Sequence, residues 1–391
     1  MYIGYTPEQE ALRSELREYY RELITPEIEQ QLANEHGIGP LVRRLVRQMA
    51  LDGWLGIGWP TEFGGQGRSS IEQFVFFDES MRANAPVPML TINTVAPTIM
   101  AFGTTEQKQF FLPKILAGEI HFCIGYSEPQ AGTDLAALQT RAVRDGDEYV
   151  INGQKMWTSL ASDADYVWLA VRTDPEAPKH KGISIIIVPT STPGFRADEL
   201  HLMGDHNICA TFYDDVRVPV SNLVGGENQG WSLIMNQLNH ERVTLCSSGI
   251  IDRLLTDVIA WAAEADAAGG GKMIEQEWVQ INLARIHAKL DFLRLMNWKV
   301  AWSATQGFLD PADSSTMKAF GTEFYLEAFR LMLDIVGPEG AVYDGSPGSV
   351  LAGRIERLTR GMIILTFGGG TNEIQRDLIA MFGLGLPRSL R

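Results

Sequence analysis

Cysteine is scarce in this chain of 391 residues. Cys123, Cys209 and Cys246 are odd in number and widely spaced, so they form neither a disulfide framework nor a thiolate metal site, which fits a reducing cytoplasm. The seven histidines are scattered, and none forms His-Glu-x-x-His or a Cys/His cluster, so no metal is expected. No stretch is long and apolar enough to span a bilayer. The segment Met1–Glu10 lacks the basic start and apolar core of a secretory signal, and it is too acidic for a typical organelle transit peptide. Positive charge is also short, with 33 Lys and Arg against 48 Asp and Glu for a formal net charge of −15. No basic run offsets it, which argues against nucleic acid or an anionic membrane as a partner. An anionic ligand therefore needs a local basic pocket. The nucleophile elbow, the phosphate-binding P-loop and the kinase signatures are absent.

What is present is an ordinary globular composition, 45% hydrophobic and 21% charged, in a chain long enough for two or three packed layers or domains. Three zones are legible: 1–120, 121–227 and 228–391. The first has helical periodicity. Thr6-Pro7-Glu8 makes a helix start, with Thr as cap and Pro in the first turn, and Leu12, Leu16, Tyr19 and Leu23 mark one apolar face. Trp59-Pro-Thr-Glu-Phe-Gly-Gly65 reads as a loop, and helices resume near Ile71–Met81 and Thr105–Ala117. In the second zone Arg141-Ala-Val-Arg-Asp-Gly-Asp-Glu-Tyr-Val-Ile-Asn-Gly153 reads as strand, Asp-Gly turn, strand. Residues 166–172, 182–188 and 211–219 are further strands. None feeds a long crossover helix, so an antiparallel β domain is expected and not a Rossmann unit. The third zone is helical again, broken at Gly269–Gly271, Gly307–Asp313 and Gly345–Gly348. Trp278, Ile281, Ala284/Arg285, Ala288 and Phe292 predict the buried face of one helix, and long helices with short breaks predict a four-helix bundle. The fold class is mainly α with a β middle domain.

Three segments carry candidate chemistry. Gly125-Tyr-Ser-Glu-Pro-Gln-Ala-Gly-Thr-Asp134 packs small residues and hydroxyls into a loop leaving a strand. Backbone N–H groups and the Ser127 and Thr133 hydroxyls can there meet a flat polar ligand; a tight turn with local side-chain hydrogen bonds fits the same residues. Lys155-Met-Trp-Thr-Ser159 sets Trp157 beside two hydroxyls, offering a ring face and two donors to a cofactor, or a plain core tryptophan. Phe367-Gly-Gly-Gly-Thr-Asn-Glu-Ile-Gln-Arg376 leads three glycines into a helix capped by Thr371. Its N–H groups can approach an oxygen or a phosphate, or the segment is a simple loop–helix junction.

Glu241 sits where a carboxylate is unexpected. Trp231–Leu245 reads as an amphipathic helix with Ile234, Leu238 and Leu245 on its apolar stripe. Glu241 falls three residues after Leu238 and four before Leu245, on the same stripe. A lone ionised carboxylate there is costly unless paired or functional, and burial raises a carboxyl pKa toward that of a general base. The alternative is an ion pair with Arg242, a poor one because helix neighbours point about 100° apart.

Taken in order, these pieces resemble the acyl-CoA dehydrogenase family over essentially the whole chain. The matching stretches are the Trp59–Gly65 loop, Phe102-Gly-Thr-Thr-Glu-Gln-Lys-Gln-Phe-Phe-Leu-Pro113, Ser127-Glu-Pro-Gln-Ala-Gly-Thr-Asp134, Asn152-Gly-Gln-Lys-Met-Trp157, Asp214-Asp-Val-Arg-Val-Pro219 and Gly370-Thr-Asn-Glu-Ile-Gln-Arg376. The resemblance implies an N-terminal helical domain, a β middle domain and a C-terminal helical bundle. It implies FAD, an acyl-CoA substrate, formation of a trans-2 double bond, and a separate electron acceptor such as electron-transfer flavoprotein. It implies that Tyr126, Ser127, Gly132 and Thr133 line the flavin ring or the thioester, with Thr133 also toward substrate. Trp157 and Ser159 would flank the flavin, and Thr371 and Glu373 would lie on the adenosine diphosphate side. Gly369 sits where some members carry the catalytic glutamate and here supplies backbone N–H to the thioester carbonyl. Other members place the base in a Glu-Arg pair on an earlier helix, which Glu241 and Arg242 match, Arg242 on the substrate side.

Two departures refine the expectation. Homomeric members carry Arg-x-x-Phe-Gly early in the bundle, reaching a neighbouring subunit's FAD; here the stretch is Trp261-Ala-Ala-Glu-Ala-Asp-Ala-Ala-Gly-Gly-Gly271. Glu264 and Asp266 are poor replacements for a cationic diphosphate contact, so a different polypeptide is expected to supply it. Within the family the chain resembles the base-bearing subunit of the actinobacterial heteromeric dehydrogenases of steroid (cholesterol) side-chain CoA thioesters. The expected assembly is a heterotetramer with two copies of a second, acyl-CoA dehydrogenase-like subunit. Met203-Gly-Asp-His-Asn-Ile-Cys-Ala210 departs from the residues many members use near CoA. An acyl-CoA oxidase, or a short-, medium- or branched-chain dehydrogenase, shares these motifs. A non-catalytic subunit of a heteromer is a reading from another class. It would be expected to lack both a base and a hydroxyl-rich loop, so Glu241, Ser127 and Thr133 count against it.

Overall fold

The computed structural model describes residues 4–35, 37–204, 207–242 and 246–388, and for 238–242 the backbone alone. The N-terminal part is built from α1 (Pro7–Leu23), α2 (Pro26–Asn34), α3 (Pro40–Leu51), α4 (Ser70–Ala83), α5 (Ala96–Phe102) and α6 (Thr105–Leu116). Reciprocal caps start three of them. At α1 the Gln9 N–H donates to Thr6 Oγ1 (3.3 Å) and the Thr6 N–H to Gln9 Oε1 (3.0 Å). The pairs Ser69/Glu72 and Thr104/Gln107 do the same at α4 and α6, each satisfying two otherwise orphaned donors. The core stripe of α1 is Leu12, Leu16 and Tyr20, not Leu12, Leu16 and Tyr19. Tyr19 is turned to the flank, where its hydroxyl donates to Asp52 (2.7 Å). The i, i+4, i+8 row wins because α4 crosses on that side, with Phe76 against Tyr20.

The middle part is one sheet of β1 (Phe122–Gly125), β2 (Arg141–Asp145), β3 (Glu148–Ser159), β4 (Tyr166–Arg172), β5 (Ile183–Pro189), β6 (Phe195–Glu199), β7 (Ile208–Pro219) and β8 (Leu223–Val224). The order is β6-β7-β3-β2-β4-β5-β8, with β1 also on β4. The pairings are antiparallel as expected, except that β1 runs parallel to β4 and β2 meets β4 in parallel at Arg141 and Arg172. The first arises because the chain enters β1 from the helical part and returns to β4 only after the long β2–β3 hairpin. That hairpin turns on Gly146 and Asp147, with Gly146 at φ +61°, a conformation that favours glycine. Strands β4 and β5 read as unbroken apolar runs because both faces are buried. Trp168, Ala170, Ile183, Ile185 and Ile187 face the helical part, and Val167, Leu169, Val171, Ile186 and Val188 face a second core with Tyr149 and Tyr213.

The C-terminal part holds α7 (Gly230–Arg242), α8 (Gly249–Glu264), α9 (Glu277–Thr305), α10 (Pro311–Val336), α11 (Arg354–Gly361) and α12 (Asn372–Leu378). The bundle of the expected kind consists of α8, α9, α10 and the segmented α11–α12 run, sharing a core that includes Leu254, Leu290, Leu293, Phe324 and Phe329. Each fully buried Leu there contributes roughly 1.5–3 kcal/mol. The predicted buried face of α9 is overturned: Trp278, Ile281, Ala284, Arg285, Ala288 and Phe292 are exposed, and Val279, Leu283, Ile286, Leu290, Leu293 and Val300 fill the core. The helix is apolar on two sides, and periodicity alone cannot say which side its own chain covers. Among the described residues no helix is long and apolar enough to cross a membrane, and no cluster of metal-ligating side chains occurs.

Candidate active site

The loop after β1 is fastened to β3 by a buried cation. Lys155 Nζ donates to the Tyr126 carbonyl (3.0 Å) and to Glu128 Oε1 (2.8 Å). Glu128 also accepts the N–H groups of Gln139 (2.7 Å) and Thr140 (2.8 Å). Burial pulls the Lys155 ammonium down to about 8, against the opposing pull of the Glu128 charge. The Met156 N–H donates to the Ser127 carbonyl (2.8 Å), completing the seam between loop and strand. Just beyond, the β3–β7 register slips between Lys155 and Thr158. This bulge sets Trp157 at φ +63° with 56% of its surface exposed. A non-glycine residue in the left-handed region is uncommon and is held there by the surrounding structure. The result is a shelf: the Trp157 indole, exposed Gly132 and Thr133, and half-buried Ser127 and Ser159. The hydroxyls of Ser127, Thr133 and Ser159 engage no other described residue.

Tyr126 does not lie on this shelf with its side chain. Its ring is buried, its hydroxyl donates to Gln237 Oε1 on α7, and it accepts from Trp168 Nε1 (3.1 Å). Gln237 is fully buried, and its Nε2 donor has no partner among the described residues. On α7 the described buried positions are Gly230, Leu233, Ile234 and Gln237, and residue 241 follows Gln237 by one turn. The backbone of Glu241 and Arg242 ends this helix, while their side chains, with that of Leu238, lie outside the described residues, as does the whole of Leu245. The chain is caught again at once. Asp78 on α4 accepts from Ser247 Oγ (2.7 Å), Ser248 Oγ (3.0 Å) and the Gly249 N–H (3.0 Å). Asn297 holds the Cys246 carbonyl (2.9 Å), and Tyr325 holds that of Ser247. Burial pushes the Asp78 carboxyl up, and these donors pull it back. Gly249 is required there: a Cβ would stand 2.2 Å from the Asp78 carbonyl.

The glycine loop is fixed from α10. Lys318, fully buried, donates to the Gly370 carbonyl (2.7 Å) and to Asn372 Oδ1 (2.8 Å). Gly369 and Gly370 adopt φ +67° and +93°. The Gly369 carbonyl accepts from Gln375 (3.4 Å), and its N–H has no acceptor among the described residues. Thr371 caps α12 through the Ile374 N–H (3.4 Å), but with seven residues the helix contributes little dipole. Glu373 is exposed, its carboxyl lowered by the helix-start backbone and the Thr371 hydroxyl. Both α7 and α12 pack on α10, which brings Gly369 and the helix bearing Glu241 onto one support.

The structure thus fastens the loop of Ser127, Gly132 and Thr133 to the strand of Trp157 and Ser159 through Lys155 and the Met156 N–H, and holds Gly369, Thr371 and Glu373 on another segment. Lys155, Glu128, Lys318, Gln237 and Asp78 escaped sequence reasoning. The available signal was a charged or amide residue in an otherwise apolar pattern, as at Lys318 between Met317 and Ala319. In the stretch that lacks the arginine, Lys272 ends the turn and is occupied within the chain by the Glu264 carbonyl and Asp266 (2.7 Å each). The loop at Met203 touches α11 through Arg360, and Asp205 and His206 lie outside the described residues.

Comparison with known proteins decides the family. Residues 6–119, 123–216 and 228–384 match the N-terminal, middle and C-terminal domain models of acyl-CoA dehydrogenase. The chain belongs to the acyl-CoA dehydrogenase family. It is 57% identical to acyl-CoA dehydrogenase FadE26 of Mycobacterium tuberculosis (strain ATCC 25618 / H37Rv), over the full length of both. A chain of the ChsE4-ChsE5 complex from Mycobacterium tuberculosis superposes with a TM-score of 0.93 at 57% identity, covering 100% of both. A chain of the Tcur3481-Tcur3483 steroid ACAD does so with a TM-score of 0.94 at 52% identity, again over 100% of both. This acyl-CoA dehydrogenase is an oxidoreductase acting on acyl-CoA.

Proposed function

We propose that this chain performs FAD-dependent α,β-dehydrogenation of a steroid side-chain CoA thioester, as the base-bearing subunit of a heterotetramer. The observation that carries the reading is a displaced acid. Position 369 is a glycine held at positive φ whose N–H has no acceptor among the described residues, while α7, packed on the same helix α10, brings Glu241. The shelf of exposed indole and unengaged hydroxyls suits a flat polar ring, so the residues fit FAD. When bound, FAD supplies the two-electron acceptor. Trp157 would cover one ring face, and Ser127, Thr133 and Ser159 would donate to its polar edge. Thr371 and Glu373 would hold the adenosine diphosphate end of the cofactor, and Arg242 and Thr133 would hold the substrate. The Gly369 N–H donates to the thioester carbonyl, which acidifies the α C–H. Glu241 takes the α proton as the β hydrogen leaves with its electron pair, and the C=C bond forms.

Two facts favour the heteromer. Lys272 is already occupied within the chain, and the similar solved structures are each named for a pair of proteins, ChsE4-ChsE5 and Tcur3481-Tcur3483. The steroid reading rests on the steroid ACAD likeness at 52% identity. The test is a flavin absorbance spectrum and mass of the chain purified alone and with a co-expressed acyl-CoA dehydrogenase-like chain. Colourless alone but yellow and tetrameric together supports the reading; a yellow homotetramer refutes the heteromer. Glu241→Gln in the flavin-loaded assembly is expected to lower turnover about 10²–10⁴-fold with flavin retained. Full activity would exclude Glu241 as the base.

A further inference from the structure

A buried chain of hydrogen bonds ends on α7 with one donor to spare. Trp168 Nε1 can only donate, so the Tyr126 oxygen accepts from it (3.1 Å) and the Tyr126 proton goes to Gln237 Oε1. That order fixes the amide: Oε1 faces the tyrosine, and Nε2 faces away with both its hydrogens. Gln237 is fully buried, and Nε2 has no acceptor among the described residues. A buried donor without an acceptor costs free energy and needs a reason. The elements packed on α7 are the π-helical turn Thr91–Val95, α5, β5 and α10. Their polar groups are engaged elsewhere. Thr91 Oγ1 accepts from the Phe122 N–H (2.9 Å), Asn93 Oδ1 accepts from Gln73 (3.1 Å), and Thr94 Oγ1 donates to the Leu90 carbonyl. On α10, Lys318 donates to Asn372 Oδ1 (2.8 Å) and Tyr325 to the Ser247 carbonyl.

We propose that Gln237 is a positioning residue for Glu241, its Nε2 donating to the Glu241 carboxylate one turn on; the inference rests on the base assignment made above. Positions i and i+4 share a helix face, about 6 Å apart along the axis. Helical side chains lean toward the N-terminus, so the later position reaches back over the earlier one. The neighbouring positions of His240 and Arg242 point about 100° to either side. Tyr126, which holds the amide, belongs to the loop that Lys155 fastens beneath the candidate flavin shelf. Base and flavin loop are thereby referenced to one support, and removal of a proton and a hydride from adjacent carbons depends on that geometry. A hydrogen bond to the charged form also lowers a carboxyl pKa, against the upward push of burial. The other ionisable groups around α7 are Tyr126 and, buried on α10, Lys318 and Tyr325. The Thr91–Val95 turn, α5 and β5 carry none.

The experiment is an infrared difference titration of the protein purified with whatever companion and flavin it carries. The carboxyl band that disappears in Glu241→Gln isolates the Glu241 titration, and each variant is measured with and without that change. Gln237→Met keeps the side-chain length and removes the donor. It is expected to raise the Glu241 midpoint by about one pH unit, a tenfold change in the ionisation constant. Tyr126→Phe releases the amide to rotate, and a smaller shift of the same sign is expected. Met235 is exposed on the opposite side of α7, and Met235→Ala is expected to leave the midpoint in place. An unmoved midpoint in Gln237→Met, or in Tyr126→Phe should the first variant fail to fold, overturns the proposal. So does an equal shift in Met235→Ala, which would assign the effect to a loosened helix. The turnover of Glu241→Gln decides the base assignment separately. Failure of that reading and failure of this one are therefore distinguishable, and the titration needs no substrate.

Discussion

Replacing Lys155 by Met breaks the clamp beneath the candidate flavin loop, and its size follows from the contacts. The ammonium is fully buried and donates to the Tyr126 carbonyl and to Glu128. Removing one partner of a buried pair costs about 3–5 kcal/mol, because the other charge is left uncompensated. Glu128 keeps the Gln139 and Thr140 N–H groups and the Gln130 amide (3.0 Å), which places the loss near 3 kcal/mol. The assay is hydrogen exchange at Gln139, Thr140 and Met156, whose N–H groups report local opening. Three kcal/mol speeds their exchange roughly 10²-fold. In a Glu128→Gln background the same substitution loses only the carbonyl bond, about 1 kcal/mol, so the pair couples by about 2 kcal/mol. Equal costs in both backgrounds, or a loss under about 1 kcal/mol in the native one, would refute the clamp. Flavin retention is expected to fall with loop order.

Other consequences are accessible. Tyr126→Phe strands Gln237 Oε1 and Trp168 Nε1, both buried, and is expected to cost about 1–3 kcal/mol in thermal unfolding; a neutral outcome would show that the link between loop and α7 carries no energy. Asp78→Ala leaves the Ser247 and Ser248 hydroxyls at the start of α8 without an acceptor and the Gly249 N–H with Ser247 Oγ alone (3.0 Å), and a loss of about 1–3 kcal/mol with faster exchange at Gly249 is expected, whereas unchanged exchange there argues against the clamp. His121 is buried, with no partner on either ring nitrogen among the described residues, and desolvation, aided by Arg43, lowers its pKa from 6.5 to about 4. Between those values the unfolded chain binds the proton and the folded chain does not. Stability therefore falls as pH drops from about 6.5 to 4, by about 3 kcal/mol at most. His121→Phe should flatten this part of the acid-unfolding curve, and an unchanged slope would assign the sensitivity elsewhere.

The residues that start helices were legible because caps are local: Thr6 with Gln9, and Thr371 before α12, act within one turn. The two faces of β4 and β5 were legible as strands but not as walls of two separate cores, since burial on both faces is a property of the sheet. The hydroxyl loop, Trp157 and the glycine run were found as motifs. Their fastening by Lys155 and Lys318 was not, because a buried lysine looks in sequence like any surface charge until its acceptors arrive from 27 and 52 residues away. Tyr126 was placed with the loop by its neighbours in sequence, and the fold turned its ring to Gln237, 111 residues on. On α9 the composition determined that two apolar stripes exist. Only the packing of α8 and α10 chose which one the chain buries and which it leaves exposed. Local hydrogen bonding and periodicity were thus fixed within a few residues of sequence, whereas the partners of buried charges and the choice between equivalent apolar faces depend on which distant elements are brought into contact.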